Sequence, residues 1–445
     1  MVNDTKSDPF TIKKVVNGGY GLSSLKAGKT VLIKYALPGE TVCAIPLEKK
    51  KHLEYAQITE TIASHPHRVS APCSYYGTCG GCDLQHAEYM FQCTIKQQII
   101  ADLLFRQPSM TLKELSAYIP LTISAPLEFG YRQRIRLKII NGGRFGFNKF
   151  HSHDVIAINK CLLAPPIINK CLKALLERDE YLNLAPSLEE LEILHNPCTD
   201  SLNLLLHFNR RPRSADQKNA ERLGKNIKTL SGVFFSGNGF SMQGPFGQQN
   251  CSAGKRMSTI LQADRPLTLS WEVGGFCQVN MKQNERLVEL VLRFSAPLPS
   301  DRVLDLYSGM GNFALPVALR ATHVHGIENQ GSAIRSACFN SFQNHIANTT
   351  FEKSDVLESC KRLINRKATF DVIICDPPRQ GMPALAPLLG LLTKRKIVYI
   401  SCDPATLCRD LDHLLKQGFT INGLQPIDMF PQTHHIETVT LLEKN

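Results

Sequence analysis

"RVLDLYSGMGNFALPVA", residues 302–318, decides how the chain is read. An apolar run from Val303 to Leu306 leads into Gly309 and Gly311, and the chain then opens a helix at Ala314, the order strand, glycine turn, helix. "HVHGIEN", residues 323–329, reads as a second strand ending in Glu328, nineteen residues after Gly309. Such a unit holds a nucleoside cofactor, because the glycines admit its backbone closely and the acid meets the ribose hydroxyls. Taken alone, Gly309-x-Gly311-x-x-Ala314 also fits a dinucleotide, and a chance turn between strand and helix would look the same.

The strands that follow separate these readings. "FDVIICDPPRQG" (370–381) ends an apolar run at Asp376, and "KIVYISCDPATLCRDLDHLL" (396–415) ends the next at Cys402. Runs this apolar and β-branched are buried parallel strands, and their carboxyl ends are the edge where open α/β sheets bind ligands. An acid and a thiol therefore converge on the cofactor edge. Hydride transfer has no evident use for the thiol, whereas methyl transfer to a carbon of an RNA base does. From Pro404 to Leu415, Leu407, Leu411 and Leu414 recur at helical spacing, which makes Cys408 a packing residue.

The remaining composition bounds the class. At 445 residues, 43% hydrophobic and 20% charged, the chain has room for two or three domains with real cores. It opens with no signal-peptide pattern and has no apolar run near the roughly 20 residues of a membrane helix, so a cytoplasmic protein is expected. Fifteen cysteines, an odd count, argue for buried thiols, metal ligands or a nucleophile over a disulfide framework. The net charge of +12 is uneven: residues 1–270 carry 33 basic against 22 acidic residues, and residues 271–445 carry 18 against 17. A polyanion gripped by the first two thirds and processed by the last third fits that division, as does plain solubility.

Residues 9–63 alternate short apolar runs with the turns "NGGYG", "KAGKT" and "LPGE", the pattern of a β-barrel of about five strands, with a basic turn "EKKKH" at 48–52 suited to RNA. "CSYYGTCGGC" (73–82) sets Cys73, Cys79 and Cys82 at C-x5-C-x2-C around two glycines, a spacing for metal ligation. Zinc and an iron-sulfur cluster both accept four thiolates, and the fourth could be Cys93 or Cys161. Residues 125–270 read as mixed strands and helices. In "FGYRQRIRLKI", Arg132, Arg134 and Arg136 share one strand face, able to clamp phosphates or simply face solvent. "GRFGFNKF" (143–150) and "HFNRRPR" (207–213) mix aromatic and basic residues as base-stacking segments do.

"DLYSGMGNFALP", "CDPPRQG", "YISCDPATLCRDL" and "DMFPQTHHIETVTLLEK" together resemble the bacterial RNA uracil-5-methyltransferases that use S-adenosylmethionine, over nearly the whole chain. The resemblance implies an α/β fold: a Rossmann-like, mostly parallel doubly wound methyltransferase domain at 271–445, a TRAM-like (OB-like) RNA-binding barrel at 1–66, and a mixed α+β central domain at 67–270. The same analogy packs residues 91–124 on the catalytic domain. Barrel and cluster on one chain look most like the 23S ribosomal RNA branch. By this resemblance Cys73, Cys79, Cys82 and Cys161 match the ligands of a [4Fe-4S] cluster, structural since no redox step is needed. Cys402 matches the nucleophile and Glu437 the general base. Gln278, Tyr307, Gly309 in the glycine turn, Asn312, Glu328, Asp355 and Asp376 match the cofactor site. Relatives carry Phe or Tyr at 307 and Asn or Asp at 355, and an alanine is usual at Cys408.

The chemistry requires these residue types. Uracil C5 is too weak a nucleophile to take a methyl group until a thiolate adds at C6 and pushes charge onto C5. A base must then remove the C5 proton before the thiol can leave. Arg409 and Arg379 are candidates for stabilising the thiolate. The uridine must be unpaired or flipped to meet thiol and cofactor together. The expected partner is RNA, most simply 23S rRNA, with no membrane and no obligate protein partner, the enzyme acting as a monomer. A tRNA methyltransferase and a non-catalytic RNA-binding module are the alternatives.

Overall fold

The computed structural model describes residues 9–25, 29–150, 152–247, 255–393 and 395–444. The chain divides into two compact units. The first is Met1–Ala125 with Cys402–Cys408 and Gln425–Thr438, and the second is Pro126–Ser401 with Arg409–Leu424 and Val439–Asn445.

The first unit opens with a six-stranded sheet in the order Phe10–Thr11, Thr41–Lys49, Leu53–Ala63, Thr30–Lys34, Tyr20–Ser24, Lys14–Val16. Only two residues separate Phe10–Thr11 from Lys14–Val16, the opposite edges of that order, so the sheet has to curl into a barrel-like shape. One strand more than expected results from this split of the first segment. Alternate residues Ile12, Val31, Ile33, Val42, Ala44 and Ala56 fill the interior. The Lys26–Gly28 part of "KAGKT" lies outside the described residues. "EKKKH" closes the hairpin between Thr41–Lys49 and Leu53–Ala63, with Lys50 Nζ 5.3 Å from the centre of the Tyr55 ring.

Glu40, fully buried, fastens this barrel to the segment after it. Its carboxylate accepts the Leu37 N–H (2.8 Å), the His65 N–H (3.1 Å), and Arg68 Nε and Nη2 (2.5 and 2.6 Å). Burial alone would raise its pKa, but the Arg68 bonds and the two amides outweigh it and hold the carboxyl below its usual range. A depressed folded pKa gives stability that is present above the unfolded value, about 4.3, and is lost as pH falls through the folded value. Glu40→Ala is expected to cost about 3 kcal/mol at pH 7, because it strands Arg68, and less as the pH falls below 4. Denaturant titrations of both proteins across that range measure the convergence.

In the second unit a seven-stranded sheet runs Gln243–Phe246, Leu230–Gly237, Ser201–Phe208, Leu188–Asn196, Arg134–Ile139, Phe145–Asn148, Val155–Ala157. It is antiparallel except where helix Ser214–Asn226 crosses between Ser201–Phe208 and Leu230–Gly237. Two sequence expectations change here. Arg134 and Arg136 do alternate with buried Ile135 and Leu137, but both meet carboxylates on the next strand: Arg134 Nε donates to Glu192 (2.6 Å) and Arg136 to Glu190. Register sets this, with Glu192 opposite Arg136 and Glu190 opposite Lys138. Glu192, almost fully buried, also accepts His207 Nε2 at 2.9 Å. A cross-strand ion-pair ladder, not an open phosphate clamp, occupies this face. Likewise Phe145 and Phe208 are core residues, packed on Tyr181 and Phe235, because the strand alternation turns them inward.

The last sheet runs Thr349–Lys353, His323–Glu328, Arg302–Leu306, Val372–Cys375, Lys396–Ser401, Glu437–Lys444, Phe419–Ile427. Its first five strands pair in parallel. Val303, Leu304, Val372 to Ile374 and Ile397 to Ile400 are fully buried, as expected of strands covered on both faces. Helices Ala314–Ala318, Gly331–Gln343, Val356–Asn365 and Leu389–Leu392 lie in the crossovers between its parallel strands, Met281–Ser295 precedes the first of them and Pro404–Leu415 follows the last. Among the described residues no helix is long and apolar enough to cross a membrane.

Candidate active site

The glycine turn is built by backbone strain. Tyr307, Gly309 and Gly311 have φ of 63°, 55° and 89°, a left-handed run that lifts the chain off the end of strand Arg302–Leu306. A Cβ on Gly311 would lie 3.0 Å from Leu315 Cγ and would sit at a φ of 89°, so a side chain here would be strained and would push on the next helix. Glu328 ends the neighbouring strand and accepts the Gly309 N–H (3.2 Å) and the Gln330 N–H (2.8 Å). The carboxylate and the glycine turn thus meet as the spacing requires. The Asn312 amide exchanges two hydrogen bonds with Asn284 (2.8 and 3.0 Å), which ties the turn to helix Met281–Ser295. Gln278 is partly exposed just before that helix, whose Asn280 N-cap accepts the Gln283 N–H at 3.2 Å. Asp355 caps helix Val356–Asn365 through the Glu358 N–H (3.0 Å).

Asp376 follows strand Val372–Cys375. It keeps some accessible surface, yet desolvation by the protein around its carboxyl raises its pKa above the usual carboxylate range. Sequence reasoning passed over its neighbour Asp305, which is fully buried inside an apolar strand. Burial, then the charges of Asp376 and Glu328, drive its pKa well above the carboxylate range. The signal was present, since an acid interrupting "VLDL" in a two-face-buried strand is costly unless it has a task. Tyr307 is held as the neutral phenol, burial raising its pKa.

In the first unit, Cys402 is the residue immediately after strand Lys396–Ser401 and is partly exposed. Asp403 accepts the Ala405 and Thr406 N–H groups (3.0 and 2.9 Å) and Pro404 begins the helix, so the thiol stands at a helix N-terminus. Helix Pro404–Leu415 has the predicted bounds. Cys408 lies inside it, buried, its pKa pushed up to about 12 by desolvation, and is an inert thiol. Glu437, 4% exposed, opens strand Glu437–Lys444, which neighbours Lys396–Ser401 in the sheet. Cys402 and Glu437 belong to the same compact unit. In the second unit, Arg409 binds Asp410 (2.9 Å) and the Gln380 carbonyl (2.8 Å), while Asp410 also accepts the Tyr399 hydroxyl and the Met382 N–H. These bonds give Arg409 a structural task.

Cys73, Cys79 and Cys82 lie partly exposed on one loop wound by the bonds Tyr76 N–H to Cys73 O and Cys79 N–H to Tyr75 O. Among the described residues no three His, Cys, Asp or Glu side chains gather as a metal site. Of the two fourth-ligand candidates, Cys93 is fully buried within helix Tyr89–Phe105, whereas Cys161 is partly exposed in a turn pinned by Asn169 (2.8 and 3.0 Å). Lys34, not singled out from sequence, is buried near Cys79, desolvation lowering its pKa to about 7.

The chain is 33% identical to the 23S rRNA (uracil(1939)-C(5))-methyltransferase RlmD of Halomonas elongata, over 98% of this chain and 89% of that one. It is 32% identical to an uncharacterized RNA methyltransferase of Aquifex aeolicus, over 98% of both. Among solved structures, the Pyrococcus abyssi tRNA (uracil-54, C5)-methyltransferase in complex with S-adenosyl-L-homocysteine has the same fold. Its TM-score is 0.71 at 23% identity, covering 97% of this chain and 100% of that one. With residues 130–445 matching the family model for tRNA (Uracil-5-)-methyltransferase, the chain belongs to that family.

Proposed function

We propose that the protein methylates C5 of a uridine in 23S rRNA, with Cys402 as nucleophile and Glu437 as general base. The observation that carries this reading is that a partly exposed thiol at a helix start and a buried carboxylate, from neighbouring strands, fall in one compact unit. The ribosomal target rests on the full-length likeness to the Halomonas enzyme.

When bound, S-adenosylmethionine supplies an electrophilic methyl group on a sulfonium. Gln278, Tyr307, the Gly309 turn, Asn312, Glu328, Asp355 and Asp376 would hold it, the Glu328 carboxylate suiting ribose hydroxyls and the turn's backbone admitting close approach. Cys402 as thiolate adds to C6 of the uracil, which places negative charge on C5 and O4. The helix start beside the thiol favours its anionic form. After C5 carries its methyl group, Glu437 takes the C5 proton, the C5–C6 double bond reforms and Cys402 leaves. Burial keeps water from competing at that carboxylate.

The barrel-like sheet with its Lys49–His52 turn acts as a TRAM-like RNA-binding module, in line with the basic excess of residues 1–270. The thiols of Cys73, Cys79, Cys82 and Cys161 suit a [4Fe-4S] cluster in donor type and partial exposure. It would brace their loop and take no part in methyl transfer. Anaerobically purified protein is expected to bind about four iron atoms, lost on Cys161→Ala and retained on Cys93→Ala. Stoichiometric zinc, or the reverse cysteine pattern, would overturn the cluster assignment.

Nucleoside mapping of total RNA from a strain lacking the gene tests the target. The expected result is loss of one 5-methyluridine from 23S rRNA with tRNA unchanged. Loss from tRNA alone would make this a tRNA enzyme, and no change in any RNA would favour a binding module.

A further inference from the structure

We infer that Lys96 is a positioning residue for Glu437, acting through the segment Asp428–His434. This rests on the reading of Glu437 as the base. Residues 428–436, which lead into Glu437, contain no helix or strand; the Asp428 N–H bonds the Ile123 carbonyl (2.9 Å), and the ties beyond it decide their path. Those ties come from helix Tyr89–Phe105 and the loop before it, more than three hundred residues earlier in the chain.

Lys96 and Asp428 are both fully buried, and Lys96 Nζ donates to Asp428 Oδ1 at 2.6 Å and to the Phe430 carbonyl at 3.1 Å. Asp428 Oδ1 also accepts the Phe430 N–H (3.0 Å), so one carboxylate and one ammonium grip both backbone groups of Phe430. One helical turn away, Gln92 accepts the Gln432 N–H and donates to its side-chain Oε1, each at 3.0 Å. Gln432, held at φ 71°, offers its carbonyl to the Asp83 and Leu84 N–H groups, both at 3.1 Å. His434 then pairs with Asp83 at 2.5 Å, three residues before Glu437.

A buried lysine–aspartate pair is a weak way to add stability, since apolar side chains of the same volume do as well or better. What it provides here is a fixed point for a segment without regular structure. Proton removal from C5 needs the carboxylate within hydrogen-bond reach, and a displacement of about 1 Å costs on the order of 100-fold in rate. The earlier attack by Cys402 on C6 does not need Glu437 in place.

The test is the double variant Lys96→Met with Asp428→Asn, which removes both charges together and limits the folding cost. It is assayed on full-length protein with 23S rRNA and S-adenosylmethionine, beside Glu437→Gln. Expected are a kcat lower by about 100-fold, KM within about twofold, and a Cys402-linked RNA–protein band on denaturing gels, with cooperative melting retained. A purely structural tie would lower melting and active fraction together and leave no band. That outcome, or normal turnover, while Glu437→Gln still traps its adduct would overturn the positioning role alone. If Glu437→Gln itself turns over normally, the base assignment falls and this inference falls with it.

Discussion

Cys402→Ala should lose methyl transfer by about 10⁴-fold or more, because nothing else in the site can raise electron density at C5 of the uracil. Cys408→Ala should retain most of it. The two thiols are six positions apart, yet one follows a strand and is partly exposed while the other is 1% exposed within a helix. Removing the Cys408 sulfur leaves a small cavity, costing about 1 kcal/mol of stability and no chemistry. The check is a methyl-transfer assay on proteins shown to melt cooperatively and to bind S-adenosylmethionine. Equal loss in both variants would mean the reacting thiol has been misplaced.

Glu437→Gln should stop the reaction later and so leave a product the parent enzyme does not accumulate. Attack by Cys402 and methylation at C5 need no base at C5, whereas elimination does. The variant should therefore hold RNA covalently through the Cys402 sulfur, with the methyl group already attached and turnover down by about 10³-fold. The adduct should survive denaturing electrophoresis and disappear when Cys402→Ala is added. Normal turnover by Glu437→Gln would demote this carboxylate to orienting the substrate.

The parts of the fold that local chemistry dictates are legible in the sequence. Strands such as Ile397 to Ile400 are covered on both faces and so read as unbroken apolar runs, and Leu407, Leu411 and Leu414 mark the next helix by their spacing. The glycine turn and Glu328 were legible because backbone strain and a fixed loop length tie residue type to position. What depended on distant pairing was not. Arg134 and Arg136 read as open from sequence, whereas pairing of their strand with Leu188–Asn196 sets Glu192 and Glu190 diagonally across from them, within hydrogen-bond reach. Phe145 and Phe208 looked like stacking platforms until their strands turned them into the core. The Lys96–Asp428 pair joins positions 332 apart, and no spacing rule reaches that far. Asp305 is hidden for a different reason: a single acid does not break the apolar run of Val303 to Leu306, although burying it is costly.

A covalent bond from Cys402 to the uracil can be trapped directly if the thiol is the nucleophile. When parent protein is incubated with S-adenosylmethionine and 23S rRNA containing 5-fluorouridine, C5 carries fluorine in place of the proton that the base must remove, so the reaction halts after methylation. Protease and nuclease digestion followed by mass spectrometry should yield the Cys402 peptide carrying a saturated uridine with both fluorine and methyl at C5 and sulfur at C6. The same adduct on any other cysteine, or no adduct while unsubstituted rRNA is methylated normally, would contradict the account.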